Sequence, residues 1–343
     1  MQEIEIPQSK FASAPAEERG ISRDQSLLLV TNNKTGDISH TVFSEIGNYL
    51  DSGDLFIYNN SATNPVCFDL VTKDGQKYEL RLSQKLLYKI WIVELNFLGK
   101  PVSEFESGEI ILLPEETPCL LVSPFKYKYA KDSQLWIVSI RFNENYSNEL
   151  NYLYKYAHPH HYYYHAAQWP IEDFQTVFSS APGSAEMPCA GRGFTNQLLN
   201  KLQSHGIEFI PITLHCGTNS EGHVPPHAEY YDVSLTTSNA INQAIAEKRR
   251  IIAIGTTVVR ALVTVTDKRG KLHPGSGWTQ KVICPEDLVL NLSGMVTTLH
   301  QTKATHLDII RKFISEELLE TAYIQALKMD YLWHEFGDFH LLI

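Results

Sequence analysis

The sequence predicts an α/β protein that combines a mainly parallel sheet with flanking helices and a small antiparallel barrel or sandwich. Two stretches of the 343-residue chain carry this prediction. Between residues 68 and 142, several short runs alternate apolar and polar residues without a helical period, as in small barrels and sandwiches. From residue 174 onward, helical and strand patterns alternate, and repeated units of this kind build mainly parallel sheets.

From residue 27 to residue 142, the sequence predicts strands and turns. Residues 27–59 predict a hairpin with its turn at the letters TGD (35–37), followed by the strand DLFIYN. The barrel strands include KIWIVELNF, EIILL, CLLV and QLWIVSIRF, and Asp74-Gly75 is the clearest hairpin turn. We therefore divide the chain into an N-terminal part of the α/β domain (1–66), an inserted β-barrel domain (67–150) and the remainder of the α/β catalytic domain (151–343).

In the last part, helix and strand signals follow one another. Thr195 is a candidate cap for a helix that Gly206 ends, and the strand IEFIPITLH comes next. A second helix is predicted from about Thr237. It is followed by RIIAIGTTVVRAL, in which four apolar residues stop at Gly255 and a helical pattern starts at once.

This strand-to-helix turn is the first candidate ligand site. A helix start has unpaired N–H groups and partial positive charge, and a Gly lets an anionic or polar ligand approach the backbone. We predict that Gly255, Thr256 and Thr257 contact the ligand, and that Arg260, one turn further on, pairs with a carboxylate. An ordinary connection capped by a Thr is the alternative.

More polar side chains lie at a neighbouring strand end. Thr213, His215 and Cys216 end one strand, and the loop GHVPPHAEYYDV adds further groups: His223, His227, Glu229, Tyr230 and Tyr231. Because ligands gather at the carboxyl ends of parallel strands, we expect one cleft suited to general acid/base work. We predict proton transfer by His215 with His227 or Glu229, and His300 is the next candidate base. Ligand contacts are predicted from Thr195, Thr213 and Tyr230. A His at a strand end is nevertheless more often structural.

Composition narrows the functional class. A net charge of −10 argues against a large nucleic-acid footprint, although a basic cluster remains at Lys126, Lys128 and Lys131. No apolar run approaches a membrane span, and the first residues lack a signal-peptide pattern, so we predict a cytoplasmic protein. The five cysteines are scattered without CxxC spacing, so we predict that they are reduced thiols.

A Tyr- and His-rich segment at 146–169 invites a metal interpretation. Four histidines fall within eight residues: His158, His160, His161 and His165. No regular secondary structure is predicted that would orient them as ligands, so the pattern favours a connecting loop with partly exposed aromatics. We predict no bound metal and no permanently bound cofactor.

A set of motifs resembles the S-adenosylmethionine:tRNA ribosyltransferase-isomerase family of queuosine biosynthesis. They occur in this order: FQTVFSSAPGSAEMPCAGRGFT, ITLHCGT, HAEYYDV, IIAIGTTVVRAL, GWT and YLWHEFGDFHLLI, with weaker similarity at IPQSKFASAPAEERG, TGDISH and SGDLFIYNN. Their joint order is specific although each motif alone is weak.

The resemblance implies an α/β domain interrupted by a β-barrel. It also implies transfer and isomerisation of the ribosyl group of S-adenosylmethionine onto 7-aminomethyl-7-deazaguanine at the tRNA wobble position. The products are epoxyqueuosine, adenine and methionine, so S-adenosylmethionine is a consumed donor. This chemistry needs a base for the ribose carbon beside the sulfonium, an acid near adenine and polar groups for the methionine carboxylate.

The chain departs from the family pattern at several motifs, as in a divergent branch. Asn59-Asn60-Ser61-Ala62 and Pro65-Val66-Cys67 stand where the family has Asn-Asp-Thr-Arg and Pro-Ala-Arg. Arg192-Gly193 stand where it has Leu-His, and we predict that Arg192 lies beside the cleft and contacts the acceptor. The alternatives are the same donor chemistry on a small-molecule acceptor, a metal-dependent hydrolase built on His215, His223 and His227, or a catalytically silent binding protein.

Overall fold

The computed structural model describes residues 4–71, 75, 77–97, 100–101, 105–142, 149–218, 225–283, 292–301 and 306–343. Within them lie eighteen strands and six α-helices. In chain order the elements of the first half are β1 (Leu27–Thr31), β2 (Ile38–Val42), β3 (Leu55–Asn59), β4 (Ser61–Thr63), β5 (Cys67–Val71), β6 (Lys77–Leu87), β7 (Ile90–Phe97), β8 (Lys100–Pro101), β9 (Ile110–Leu113), β10 (Thr117–Tyr127) and β11 (Ala130–Ile140).

All the α-helices of the described chain come after β11. The elements of this part are α1 (Glu149–Tyr156), β12 (Ala181–Ser184), α2 (Asn196–Ser204), β13 (Glu208–Leu214), β14 (Glu229–Val233), α3 (Leu235–Ala246), β15 (Ile251–Ile254), α4 (Thr256–Thr264), β16 (Gly275–Thr279), β17 (Gly294–Thr298), α5 (His306–Ile310), α6 (Glu316–Lys328) and β18 (Phe339–Leu342).

A nine-stranded mixed sheet forms the centre of the α/β part. Its strand order is β16-β14-β13-β3-β15-β17-β18-β1-β2. Parallel pairing joins β13, β3, β15 and β17, and also β18 with β1, whereas the outer pairs and the β17–β18 pair are antiparallel. The predicted α/β class is confirmed, with antiparallel strands added at both edges and one inside the sheet.

The central strands are buried on both faces, which explains their continuous apolar runs. Side chains alternate across a strand, so Ile251 and Ala253 pack in a core with α3 to α6, whereas Ile252 and Ile254 face a second core beside α2. Helices therefore cover both faces of the sheet, and only the strand ends leave room for a ligand.

The predicted antiparallel part is confirmed as a separate sheet. Strands β5-β6-β7-β11-β10-β9 pair in that order, β8 pairs with β7, and the sheet has its own apolar core. Its strands lie between Cys67 and Ile140. The division at residues 66 and 150 remains a prediction, and Asp74 of the expected turn lies outside the described residues.

Local predictions in the α/β part agree with the structure in several places. The hairpin β1–β2 turns at Gly36 with φ 78°, and Thr195 caps α2 by accepting from the Leu198 N–H at 3.1 Å. Helix α3 begins at Leu235, two residues before the predicted start, because Ser234 is its cap. No helix in the described ranges is long and apolar enough to cross a membrane.

Candidate active site

A cavity of about 690 Å³ opens at the carboxyl edge of the central strands. Its wall includes Ile254 at the end of β15, Cys216 just after β13, and Thr297 and Thr298 at the end of β17. These strands run parallel to one another or share β3 as a parallel neighbour, so their carboxyl ends meet at one edge. The fold therefore places the cavity where α/β sheets bind ligands.

The start of α4 forms one part of the cavity wall. Gly255 has φ 92°, which a residue with a Cβ rarely adopts, and an added Cβ would lie 3.3 Å from that of Ala190. Because the N-cap is a glycine, no side chain caps this helix, and the capped-turn alternative does not apply. Thr256 and Thr257 also line the cavity, and Thr257 Oγ1 lies 3.4 Å from Asn59 Nδ2.

A buried ion pair lies on the same wall. Arg260 Nη1 donates to Glu229 Oε2, and Glu229 Oε1 accepts from the Gly217 N–H at 3.0 Å. Arg260 Nε donates to the Lys281 carbonyl at 3.1 Å, but its Nη2 is buried without a hydrogen-bond partner among the described residues. Both residues are more than nine-tenths buried. Glu229 thus orients the Arg260 guanidinium at the cavity wall.

Three imidazoles also line the cavity. His300 and His306 stack with their ring centroids 4.6 Å apart and their planes 5° apart, and His300 Nε2 shares a hydrogen bond with Thr297 Oγ1 at 3.0 Å. Burial lowers the pKa of His300 well below its usual range, and burial, with a smaller effect of Arg260, lowers the pKa of His306 to about 4. Burial lowers the pKa of His334 as well. These side chains are therefore neutral at pH 7 and can accept protons.

The remaining wall is aromatic and acidic. Tyr162, Tyr163 and Tyr164 line the cavity together with Glu186 and Glu335. The Tyr164 hydroxyl donates to Glu335 Oε2, and the Tyr164 ring stacks on His334 with centroids 4.9 Å apart. The segment 146–169, predicted as a connecting loop with partly exposed aromatics, contains helix α1 at Glu149–Tyr156 and is largely irregular only after it. Its tyrosines also contribute directly to the cavity.

His215 lies outside the cavity wall that the structure describes. Its Nδ1 shares a hydrogen bond with Ser61 Oγ at 2.7 Å, and Ser61 Oγ bonds Ser184 Oγ at 2.6 Å. The ring lies over Gly183, where an added Cβ would come within 2.5 Å of it. Burial lowers its pKa. The role of His215 in proton transfer remains a prediction, and this packing fits the structural interpretation of a strand-end His.

The other residues predicted from the β13 end also have protein partners. His227 Nε2 bonds Ser83 Oγ of the barrel at 2.7 Å, and Thr213 Oγ1 donates to Asn60 Oδ1 at 2.7 Å. Tyr230 stacks on His215 with centroids 5.7 Å apart. None of the three belongs to the described cavity wall, so the expected single cleft forms only around Glu229, Gly255 and the start of α4. His223 lies outside the described residues.

Arg192 and Thr195 are not among the residues of the described cavity wall, and both have protein partners. Arg192 is buried, donates to Glu17 Oε2 at 2.7 Å and lies 5.0 Å from the centre of the Phe336 ring. Thr195 donates to Asp24 Oδ2 at 2.9 Å in addition to capping α2. Arg192 is not among the residues of the described cavity wall, and its guanidinium anchors the segment around Glu17; its contact with the acceptor remains a prediction.

One group of side chains in the described residues has metal-ligating atoms close together: Cys67, Glu79 and His158, within 4.8 Å of one another. Glu79 is also bonded to Arg81, which already supplies a positive charge there. His158 thus meets barrel residues rather than the other three histidines of its segment. This group lies apart from the cavity.

Sequence reasoning missed much of the cavity wall outside α4. His300, predicted only as the next candidate base after His215, stands directly after the apolar run MVTTL, where the strand-end rule expects a polar group that faces the ligand. His334 and Glu335 precede β18, which runs antiparallel to β17 and so presents its amino end at the cavity edge. No local sequence pattern indicates that β18 runs antiparallel to β17.

Comparisons with known proteins agree with this architecture. The sequence model of the family described as "Queuosine biosynthesis protein" matches residues 3–342. Curated relatives named S-adenosylmethionine:tRNA ribosyltransferase-isomerase include one from Carboxydothermus hydrogenoformans, 32% identical over 98% of this chain and 97% of its own. Another, from Staphylococcus haemolyticus, is 30% identical over 99% of this chain and 98% of its own.

A solved structure is similar over the whole chain. The crystal structure titled S-adenosylmethionine tRNA ribosyltransferase from Thermotoga maritima has a TM-score of 0.55 and 25% identity and covers 99% of both chains. The family match, the full-length relatives and the shared fold point the same way. The chain belongs to the queuosine biosynthesis protein family.

Proposed function

We propose that this protein is an S-adenosylmethionine-dependent tRNA ribosyltransferase-isomerase that acts in queuosine biosynthesis. It transfers and rearranges the ribosyl group of S-adenosylmethionine onto 7-aminomethyl-7-deazaguanine in tRNA, giving epoxyqueuosine and releasing adenine and methionine. The family match over nearly the whole chain and the names of its relatives support this reaction. The observation that carries the site is the cavity with the unpartnered Arg260 Nη2 on its wall.

The donor binds with its methionine carboxylate at Arg260. A buried guanidinium nitrogen without a partner gains a charge-assisted hydrogen bond from a carboxylate. The free N–H groups at the start of α4 add further donors beside Gly255, and the hydroxyls of Thr256 and Thr257 lie on the same wall. S-adenosylmethionine is consumed in each turnover, and we propose no permanently bound cofactor.

Proton removal from the ribose carbon beside the sulfonium is assigned to a cavity imidazole, His300, with its stacked neighbour His306. The sulfonium acidifies this carbon, and the removed proton passes to a neutral imidazole nitrogen as the carbanion forms. The lowered pKa of His300 leaves its imidazole neutral at pH 7, which is the form that can take a proton. His215, with His227 or Glu229, is the competing proposal from the sequence. With His215 as the base, the reacting ribose of the donor would have to extend beyond the described cavity wall.

The acceptor is proposed to be tRNA modified at its wobble position, in the cytoplasm. Lys126 and Lys128 are exposed at the end of β10, where phosphates can contact them, and the side chain of Lys131 lies outside the described residues. With a net charge of −10, the protein must concentrate its cations locally to bind RNA, and such binding weakens with added salt.

Product analysis tests the proposal. Purified protein is incubated with S-adenosylmethionine and tRNA carrying 7-aminomethyl-7-deazaguanine, and adenine and the modified nucleoside are measured by mass spectrometry. We expect both products in equal amounts. Adenine release that responds to a small amine but not to tRNA would establish the small-molecule alternative, and donor binding without adenine release would establish a silent binding protein.

A further inference from the structure

The cavity has groups of opposite charge on different parts of its wall. Arg260 lies on the part formed by the start of α4. Glu186 and Glu335 lie on another part, formed by the segments after β12 and before β18 together with the tyrosines. A ligand that fills the cavity therefore meets a cationic guanidinium and also the carboxylates of Glu186 and Glu335.

Glu335 is held in position by an aromatic neighbour. It accepts from the Tyr164 hydroxyl, and the Tyr164 ring is fixed between His334, at 4.9 Å, and Phe11, at 5.5 Å. Burial and the adjacent carboxylate raise the pKa of Tyr164, so it remains a hydrogen-bond donor. A carboxylate has about four acceptor positions, so Glu335 retains capacity for a further donor from the ligand.

Glu186 acts on the same region from a different segment. Burial, followed by Glu186 and then Glu335, raises the pKa of Tyr162 well above its usual range, which places both carboxylates within electrostatic reach of one side chain. Two half-buried carboxylates that line the same cavity favour a ligand that places a positively charged group beside them.

Tyr163 provides an exposed aromatic surface at the same place. It lines the cavity although its side chain is 74% exposed, and its ring packs edge-on against Tyr164 with centroids 5.2 Å apart. Exposed aromatic rings at the mouth of a pocket are how proteins stack unpaired nucleobases.

We propose that Glu186 and Glu335 bind the primary ammonium group of the acceptor, carried by a nucleobase that stacks on Tyr163. This proposal rests on the function proposed above, in which the acceptor base has an aminomethyl substituent. An alkylamine of this kind is protonated at pH 7, as lysine is. The two carboxylates thus select an aminomethyl base over an unmodified guanine.

The donor also has a primary ammonium, but covalent geometry argues against it as the occupant. The amino and carboxylate groups of methionine are attached to the same carbon. A donor whose carboxylate lies at Arg260 therefore keeps its ammonium near Arg260 and Glu229. We therefore assign Glu186 and Glu335 to the ammonium group of the acceptor.

The test compares anticodon stem-loops that differ only in the wobble base, either 7-aminomethyl-7-deazaguanine or guanine. Their affinities are measured by fluorescence anisotropy for the wild-type protein and for Glu335→Gln and Glu186→Gln, with donor affinity measured by calorimetry. We expect the wild type to prefer the aminomethyl base. Each variant should reduce that preference at least about fivefold, since a hydrogen bond to a charged group is replaced by a neutral one. Donor affinity should not change.

Glu317→Gln, an exposed glutamate of α6 away from the cavity, serves as the matched control and should keep the full preference. Two variants on separate segments keep the test valid if one fails to fold, which thermal unfolding reveals. A preference unchanged in both variants overturns the proposal, and so does a loss confined to donor affinity, which would assign the carboxylates to the donor's ammonium. A wild type that releases no adenine with either RNA would instead contradict the proposed function.

Discussion

The ends of β13 and β15 lie close together in the sheet, yet they differ in what they offer a ligand. At the end of β13, Thr213 and His215 each bond a neighbouring side chain. At the end of β15, Gly255 exposes the start of α4 and Arg260 keeps one nitrogen without a partner. Strand ends thus locate the reactive edge of the sheet, but hydrogen-bond partners determine which polar groups remain available.

The largest expected effect comes from removing the guanidinium at the β15 end. Arg260→Ala should weaken S-adenosylmethionine binding at least about tenfold, because a charge-assisted hydrogen bond is lost. It should also lower the free energy of unfolding by about 3–5 kcal/mol, because Glu229 is left buried and unpaired. Calorimetry and denaturant unfolding measure the two effects.

Arg250→Ala is the control at the opposite end of the same strand. Arg250 pairs with Asp54 and does not contact the described cavity, so its loss should leave donor affinity unchanged. Normal donor affinity in folded Arg260→Ala protein would place the carboxylate elsewhere.

The second prediction compares the imidazoles at the two kinds of site. His300→Gln should slow adenine release in a single turnover by about 10²-fold or more, because it removes a base on the cavity wall. His215→Gln should change the rate only a few-fold, because His215 bonds Ser61 outside that wall. The reverse order of effects would restore His215 as the base, and Glu229→Gln would then be the next variant.

The third prediction concerns pH. The pKa of His306 is lowered to about 4 in the folded protein, so the unfolded chain binds a proton that the folded one excludes. The stability that His306 contributes is complete above about pH 6.5 and is lost as the pH falls toward 4, by roughly 3 kcal/mol. His306→Leu should reduce this acid sensitivity of the melting temperature. His205→Gln, at an exposed site, should not, and equal curves for all three proteins would contradict the prediction.

The smallest expected effect lies on the barrel. Replacing Lys126, Lys128 and Lys131 with Glu should weaken tRNA binding across sequences and reduce the salt slope by about one for each lost phosphate contact, leaving donor affinity intact. The control replaces Lys34, Lys201 and Lys312 with Glu, which alters the net charge equally at other positions. Equal losses in both triple variants would indicate a general charge effect and no local contact.

Local patterns predicted the fold class and one wall of the cavity. The run that ends at Gly255 identified β15, α4 and the Arg260 side chain because the signals lie within a dozen residues. Glu186, His334 and Glu335 come from segments whose positions depend on strand order and direction, which no short window contains. Hydrogen-bond partners are equally invisible, so the sequence could not show that His215 meets Ser61 across the fold.

The position of β18 between β17 and β1 also affects how the protein is made. The Leu27 N–H bonds Asp338 Oδ1 over a separation of 311 residues, and Leu28 pairs with Phe339. The apolar strand β1 leaves the ribosome long before its parallel partner is synthesised, whereas the barrel strands find their partners within a short stretch of chain. The barrel can therefore form first, and the β1 hairpin waits with one edge unpaired. This edge can pair with another chain during synthesis unless a chaperone covers it.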